Sequence, residues 1–176
     1  MLYRLVIIIA VFIIRLYYLR ISKRNEARIL AEGGVEYGQA VSKWITILHI
    51  LFYLGCFLEA CFGTSSFDGI SLLGLVLLGC AMWMLHLVVH LLDGIWTVKL
   101  MIAKNHLYNP HWLFKTVKHP NYFLNILPEL LGLVLLSHAW WTLMLVSPFY
   151  IYVLFLRIKE ENHLIQTVLL QNGVKK

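Results

Sequence analysis

A run of apolar residues from Phe123 to Leu156, interrupted only at Ser137-His138, is bracketed by two dense polar clusters. Lys118-His119-Pro120-Asn121-Tyr122 precedes it and Arg157-Ile158-Lys159-Glu160-Glu161 follows it. Split at Ser137-His138, the run supplies two helices at the short end of the about 17–25 residues that cross a bilayer. A helical hairpin of that length returns both ends to one side of the membrane. The two clusters can then build one site.

The rest of the chain agrees with a bilayer as its solvent. Of 176 residues, 60% are hydrophobic and 14% charged, with a mean hydropathy of +0.76. A soluble domain carries about 45–50% apolar and about 25% charged residues, so this excess has no aqueous interior large enough to hold it. The net charge of +6 fits loops rich in Lys and Arg that face anionic headgroups. No basic run with interleaved aromatics stands clear of the apolar segments, so nucleic acid is not an expected partner. Cys56, Cys61 and Cys80 lie inside apolar runs and form no CxxC pair. They read as packing residues rather than a disulfide framework or a metal site.

The expected fold is all-α and integral to the membrane, a single domain over 1–176 with about five crossings. Three N-terminal crossings fill 1–92, a cytoplasmic loop follows over 93–122, the helical hairpin over 123–156, and an interfacial C-terminal helix over 157–176. The first crossing ends near Leu19, before the basic segment Arg20, Lys23, Arg24 and Arg28. Ser22 to Glu32 reads as a short interfacial helix that stops at Gly33-Gly34, since glycine costs a helix about 1 kcal/mol relative to alanine. Val35-Glu36-Tyr37-Gly38 reads as a structured turn, and Gly63 to Gly69 as a short outside loop. The lysines Lys99, Lys104, Lys115 and Lys118 place the long loop in the cytoplasm, with the N-terminus outside and the C-terminus inside. Pro128 and Pro148 fall within the hairpin helices, where kinks are tolerated.

Several residues can carry chemistry. Arg157, Glu160 and Glu161 stand at i, i+3 and i+4, roughly on one helical face. A guanidinium there can grip a planar oxyanion with two parallel hydrogen bonds, while a carboxylate can hold a cation or a ribose hydroxyl. Pro120 biases His119 away from helix and suits the first turn of the next one, which puts the imidazole at a helix entrance. His86 and His90 share one face of the third crossing, a spacing that serves either as polar glue between helices or as haem and metal ligation. His49, Glu59 and Glu129 are further polar groups inside apolar runs, where an ionisable residue is a functional candidate.

The pairing of His119-Pro120-Asn121-Tyr122 with Arg157 and Glu161 across a long hairpin resembles the C-terminal half of the isoprenylcysteine carboxyl methyltransferase family. That resemblance covers about Trp96 to Leu170. It implies an integral membrane enzyme that uses S-adenosylmethionine. By that resemblance His119, Pro120, Asn121 and Tyr122 contact the cofactor, Glu161 binds it, and Arg157 faces the methyl acceptor with Glu160 beside it. His106, Leu107, Tyr108 and Asn109 fall at the family's other cofactor segment. Phe114 stands where the family has a tyrosine, Lys99 where some relatives have glutamine, and Lys118 in place of the arginine before His-Pro. Gly33-Gly34-Val35-Glu36-Tyr37-Gly38 is similar to a bacterial branch whose members O-methylate alkylpyrones and related phenolic lipids.

Methyl transfer from a sulfonium to an oxyanion needs alignment and desolvation more than a strong base. Good orientation alone is worth about 7–11 kcal/mol. The expected reaction is therefore transfer of a methyl group to an enol or phenol hydroxyl, or a carboxylate, of a lipid-like acceptor in the bacterial cell membrane. The polar cofactor enters from the cytoplasm and the apolar tail from the lipid. Two other readings stand beside it: a sterol-reductase-type enzyme using NADPH, and a non-catalytic haem- or lipid-binding protein built on His86 and His90.

Overall fold

Six helices organise the chain in a computed structural model, which describes residues 2–104 and 111–169. In order they are α1 (Leu2–Ala31), α2 (Gln39–Phe62), α3 (Gly69–Leu91), the short α4 (Trp112–Thr116), α5 (Leu127–Ser137) and α6 (Trp140–Leu164). A π-helical turn, Asn121–Ile126, leads into α5, and another, Ile165–Leu169, follows α6. Two three-residue strands, β1 (Val35–Tyr37) and β2 (Leu100–Ile102), pair antiparallel with Val35 opposite Ile102. Among the described residues four helices are long and apolar enough to span a bilayer, and the apolar stretch Asn121–Ser137 is shorter. The protein is an all-α integral membrane protein. Leu2, Ile13, Phe62, Trp83, Phe149 and Phe155 are exposed on its outside, as a lipid-facing surface requires.

Two helices run further than their composition indicates. The polar segment Ser22 to Glu32 is not a separate interfacial helix, because it continues α1 to Ala31. At 1.5 Å per residue α1 is about 45 Å long against a hydrocarbon thickness of about 30 Å. Its basic end therefore stands clear of the apolar layer. Nothing in Ser22–Ala31 breaks a helix; the stop comes at Gly33, with φ +84°. Likewise the residues from Arg157 onward do not begin a new interfacial helix. Arg157, Glu160 and Glu161 lie within the last two turns of α6, which carries straight through Pro148.

The bundle closes around α3 and α5, its most extensively packed pair. Gly74 and Gly132 let the two backbones meet: a Cβ on Gly132 would stand 2.9 Å from the Gly74 carbonyl oxygen. Small residues at such crossings replace the hydrophobic drive that lipid does not supply. At the end opposite the basic loops, polar side chains pin the turns. Arg4 donates to Ser65 and the Ser66 carbonyl. Glu59 accepts from the Thr142 N–H at 2.7 Å and its hydroxyl at 2.6 Å, so it caps the start of α6. Toward the basic end, His86 bonds the Tyr18 hydroxyl at 3.1 Å and stacks on His90, joining α3 to α1.

Candidate active site

The π-helical turn at Asn121 sets the site. Pro120 enters it with φ −62°, the value its ring imposes. Pro128 has no N–H to offer the carbonyl of Leu124 four residues back, and a wider turn precedes it. Such turns occur frequently at functional positions. Here the turn brings His119 and Tyr122 onto the last turns of α6.

His119 Nδ1 lies 3.2 Å from Glu161 Oε1, and its Nε2 lies 3.1 Å from Asn162 Oδ1. The Tyr122 hydroxyl donates to Glu161 Oε2 at 2.6 Å and accepts from Arg157 Nε at 3.1 Å. Arg157 reaches further: Nη1 donates to Ser42 Oγ at 2.6 Å and Nη2 to the Val98 carbonyl at 3.1 Å. One guanidinium thus ties α6 to α2, to the π-turn and to the segment before β2. Three of its five N–H groups have partners among the described residues and two have none there.

Burial separates the supporting groups from the one that faces outward. His119 and Arg157 are buried, whereas Glu161 keeps 26% of its side chain accessible against 4% for His119. The carboxylate is clamped from behind and open in front. It opens into a cavity of about 200 Å³, which Arg157, His119, Pro120, Asn121 and Tyr122 also line. Lys99, Phe114 and Lys118 complete its polar and aromatic wall, with Trp96 and Leu164.

Of the residues singled out in the sequence, Glu160 stands apart. Its carboxylate lies against Gly38, where a Cβ would clash with it, and it is not among the cavity residues. One residue along a helix turns the side chain by about 100°, so Glu161 faces the cavity and Glu160 faces the N-terminus of α2. Gly38 itself has φ +57°, a conformation glycine adopts freely. Lys99 lines the cavity, yet its ammonium donates to Glu36 at 3.0 Å, which holds it above the ordinary lysine range. His106, Leu107, Tyr108 and Asn109 lie outside the described residues.

Three further groups had no signal in the sequence. Ser42 is one serine at the start of a crossing, and Asn162 follows a conspicuous acid pair. Trp96 is buried, lines the cavity, and its indole Nε1 has no hydrogen-bond partner among the described residues. Ser42 also lines a second cavity of about 420 Å³ with Gln39, Lys43 and Thr46. Arg157 therefore borders one cavity and bonds to the wall of the other.

The model of the isoprenylcysteine carboxyl methyltransferase (ICMT) family matches residues 72–167, a span that holds every residue lining the cavity. The chain belongs to this family. An uncharacterized protein of Haemophilus influenzae is 44% identical over 148 residues, which cover 84% of this chain and 86% of that protein. The uncharacterized protein YpbQ of Bacillus subtilis is 28% identical over 165 residues, 91% of this chain and 95% of its own. No solved structure matches significantly. Membership in the ICMT family makes the protein an integral membrane methyltransferase. Members of that family use S-adenosylmethionine. The donor set here fits that cofactor: an open carboxylate for hydroxyl or ammonium groups, aromatic Trp96 and Phe114 for a flat base, and an indole N–H with no partner among the described residues.

Proposed function

We propose that the protein transfers a methyl group from S-adenosylmethionine to an oxygen on a lipid-like acceptor, an enol or phenol hydroxyl or a carboxylate. When bound, S-adenosylmethionine supplies an electrophilic methyl group on a sulfonium. The observation that carries this reading is Glu161, held by His119 and Tyr122 at the mouth of a cavity whose floor is Arg157.

Each residue then has a part. Glu161 receives hydroxyl or ammonium groups of the cofactor, and its position is fixed before binding, which lowers the ordering cost. Trp96 and Phe114 pack on its flat ring. Pro120, Asn121 and Tyr122 form the wall beside it, with Lys99 at the rim. The two remaining N–H groups of Arg157 face the acceptor oxygen, stabilise its anion and align it. A buried guanidinium in a site screened from water is worth more than in solvent. The lipid-facing surface gives an apolar tail a lateral approach. The lysine-rich end faces the cytoplasm, in the bacterial cell membrane, with the N-terminus outside.

The test is incubation of the purified protein with methyl-labelled S-adenosylmethionine and a membrane lipid extract, followed by mass analysis. The expected result is label on an oxygen of an apolar lipid. Label on nitrogen or sulfur, or none together with specific binding of NADPH, contradicts it.

A further inference from the structure

An ionic cluster lies deep in the bundle, and the reaction above makes no use of it. Arg15 of α1 pairs with Glu129 of α5, its Nε donating to Oε1 at 2.7 Å. The Tyr53 hydroxyl of α2 also donates to Glu129, and Glu129 is fully buried. Placing such a pair in apolar surroundings costs several kcal/mol per ion before their attraction is counted, so a purely packing role has cheaper solutions.

The pair connects to the cavity. Arg15 Nη2 donates to Asn125 Oδ1 at 2.8 Å, and Asn125 Nδ2 donates to Asn121 Oδ1 at 2.8 Å. Arginine has donors and no acceptor, so it dictates which end of the Asn125 amide faces it. With its oxygen committed to Arg15, Asn125 must present N–H to Asn121. Asn121 must then present its oxygen to Asn125. Its own amide nitrogen is left for the cavity, which Asn121 lines. Glu129 and Tyr53 hold Arg15 in place, so the chain of choices begins at a fixed point.

We infer that the Arg15–Glu129 pair is a positioning device, which sets the polarity of an amide relay so that Asn121 offers N–H donors, rather than an acceptor, to the ligand in the cavity. It selects for an acceptor atom there: a carboxylate, a ribose oxygen or a ring nitrogen. The inference rests on the cofactor reading above for the identity of that ligand. It does not rest on it for the orientation of the amide.

Asn125→Asp tests it with little change in shape. Aspartate still accepts from Arg15, but its other oxygen faces Asn121 and turns that amide around. In full-length protein in detergent, Asn125→Asp should weaken S-adenosylmethionine binding about tenfold, the worth of one hydrogen bond lost and one acceptor left facing another. Asn121→Asp should do the same, and adding Asn125→Asp to Asn121→Ala should cost nothing further. Unchanged affinity in Asn125→Asp, or fully additive losses, overturns the inference. A second readout needs no ligand. The side-chain amide resonance of Asn121, assigned by its disappearance in Asn121→Asp, should shift in Asn125→Asp and in an Arg15→Leu/Glu129→Leu pair. An unmoved resonance overturns the positioning role whatever the methyl donor proves to be; a shifted resonance without S-adenosylmethionine binding keeps it and overturns the cofactor reading alone.

Discussion

Tyr122 donates its hydroxyl hydrogen to Glu161 at 2.6 Å while the same oxygen accepts from Arg157 at 3.1 Å. The phenol is thus the link between the acid at the cavity mouth and the buried cation at its floor. Tyr122→Phe keeps the ring and removes that link. It leaves Arg157 Nε without an acceptor and Glu161 with one donor fewer. The expected cost is about 1–3 kcal/mol of stability, read as a lower melting temperature in detergent, together with weaker S-adenosylmethionine binding.

Neighbouring acids should behave differently. Glu160 packs against Gly38 and stays out of the cavity. Glu160→Gln should therefore leave S-adenosylmethionine affinity within about twofold, measured by calorimetry. A loss as large as that from Glu161→Gln would return Glu160 to the site.

Arg157→Ala should lower turnover about a hundredfold or more, as removal of an anion-stabilising donor does, and should affect cofactor affinity less. Initial rates and calorimetry on the same preparation separate the two. Equal losses would place Arg157 on the cofactor rather than on the acceptor.

A pH test is available at the opposite end of the bundle. The Ser71 N–H at 2.8 Å, and after it His138, hold the Asp68 carboxyl below the ordinary aspartate range. For a depressed acid the stabilisation is present above the unfolded-state value of 3.8 and is lost as the pH falls through the folded-state value. Asp68→Ala should lower the melting temperature at neutral pH. The gap to the unchanged protein should close as the pH drops below 3.8. A gap that persists in acid would assign the effect to packing alone.

Much of the site was legible because its two halves are short motifs at the ends of one hairpin. His119 and Tyr122 meet Glu161 as the hairpin length implied, 42 and 39 residues apart in the chain. What the sequence could not show depends on helix rotation and on packing between distant helices. Glu160 and Glu161 look equivalent as letters, and only the rotation of α6 separates them. Ser42 meets Arg157 across 115 residues, and Arg15 meets Asn125 across 110; neither pairing leaves a local pattern. The interfacial helices expected at Ser22 and Arg157 followed the change to polar composition. A change in composition does not end a helix where no Gly, Pro or cap interrupts it.

The measurement that bears most directly on the central claim is calorimetric binding of S-adenosylmethionine to the purified protein in detergent, repeated on Glu161→Ala and His119→Ala. Saturable binding to the unchanged protein, abolished in both variants, is the expected result. No binding to the unchanged protein, or binding that survives both substitutions, contradicts the account.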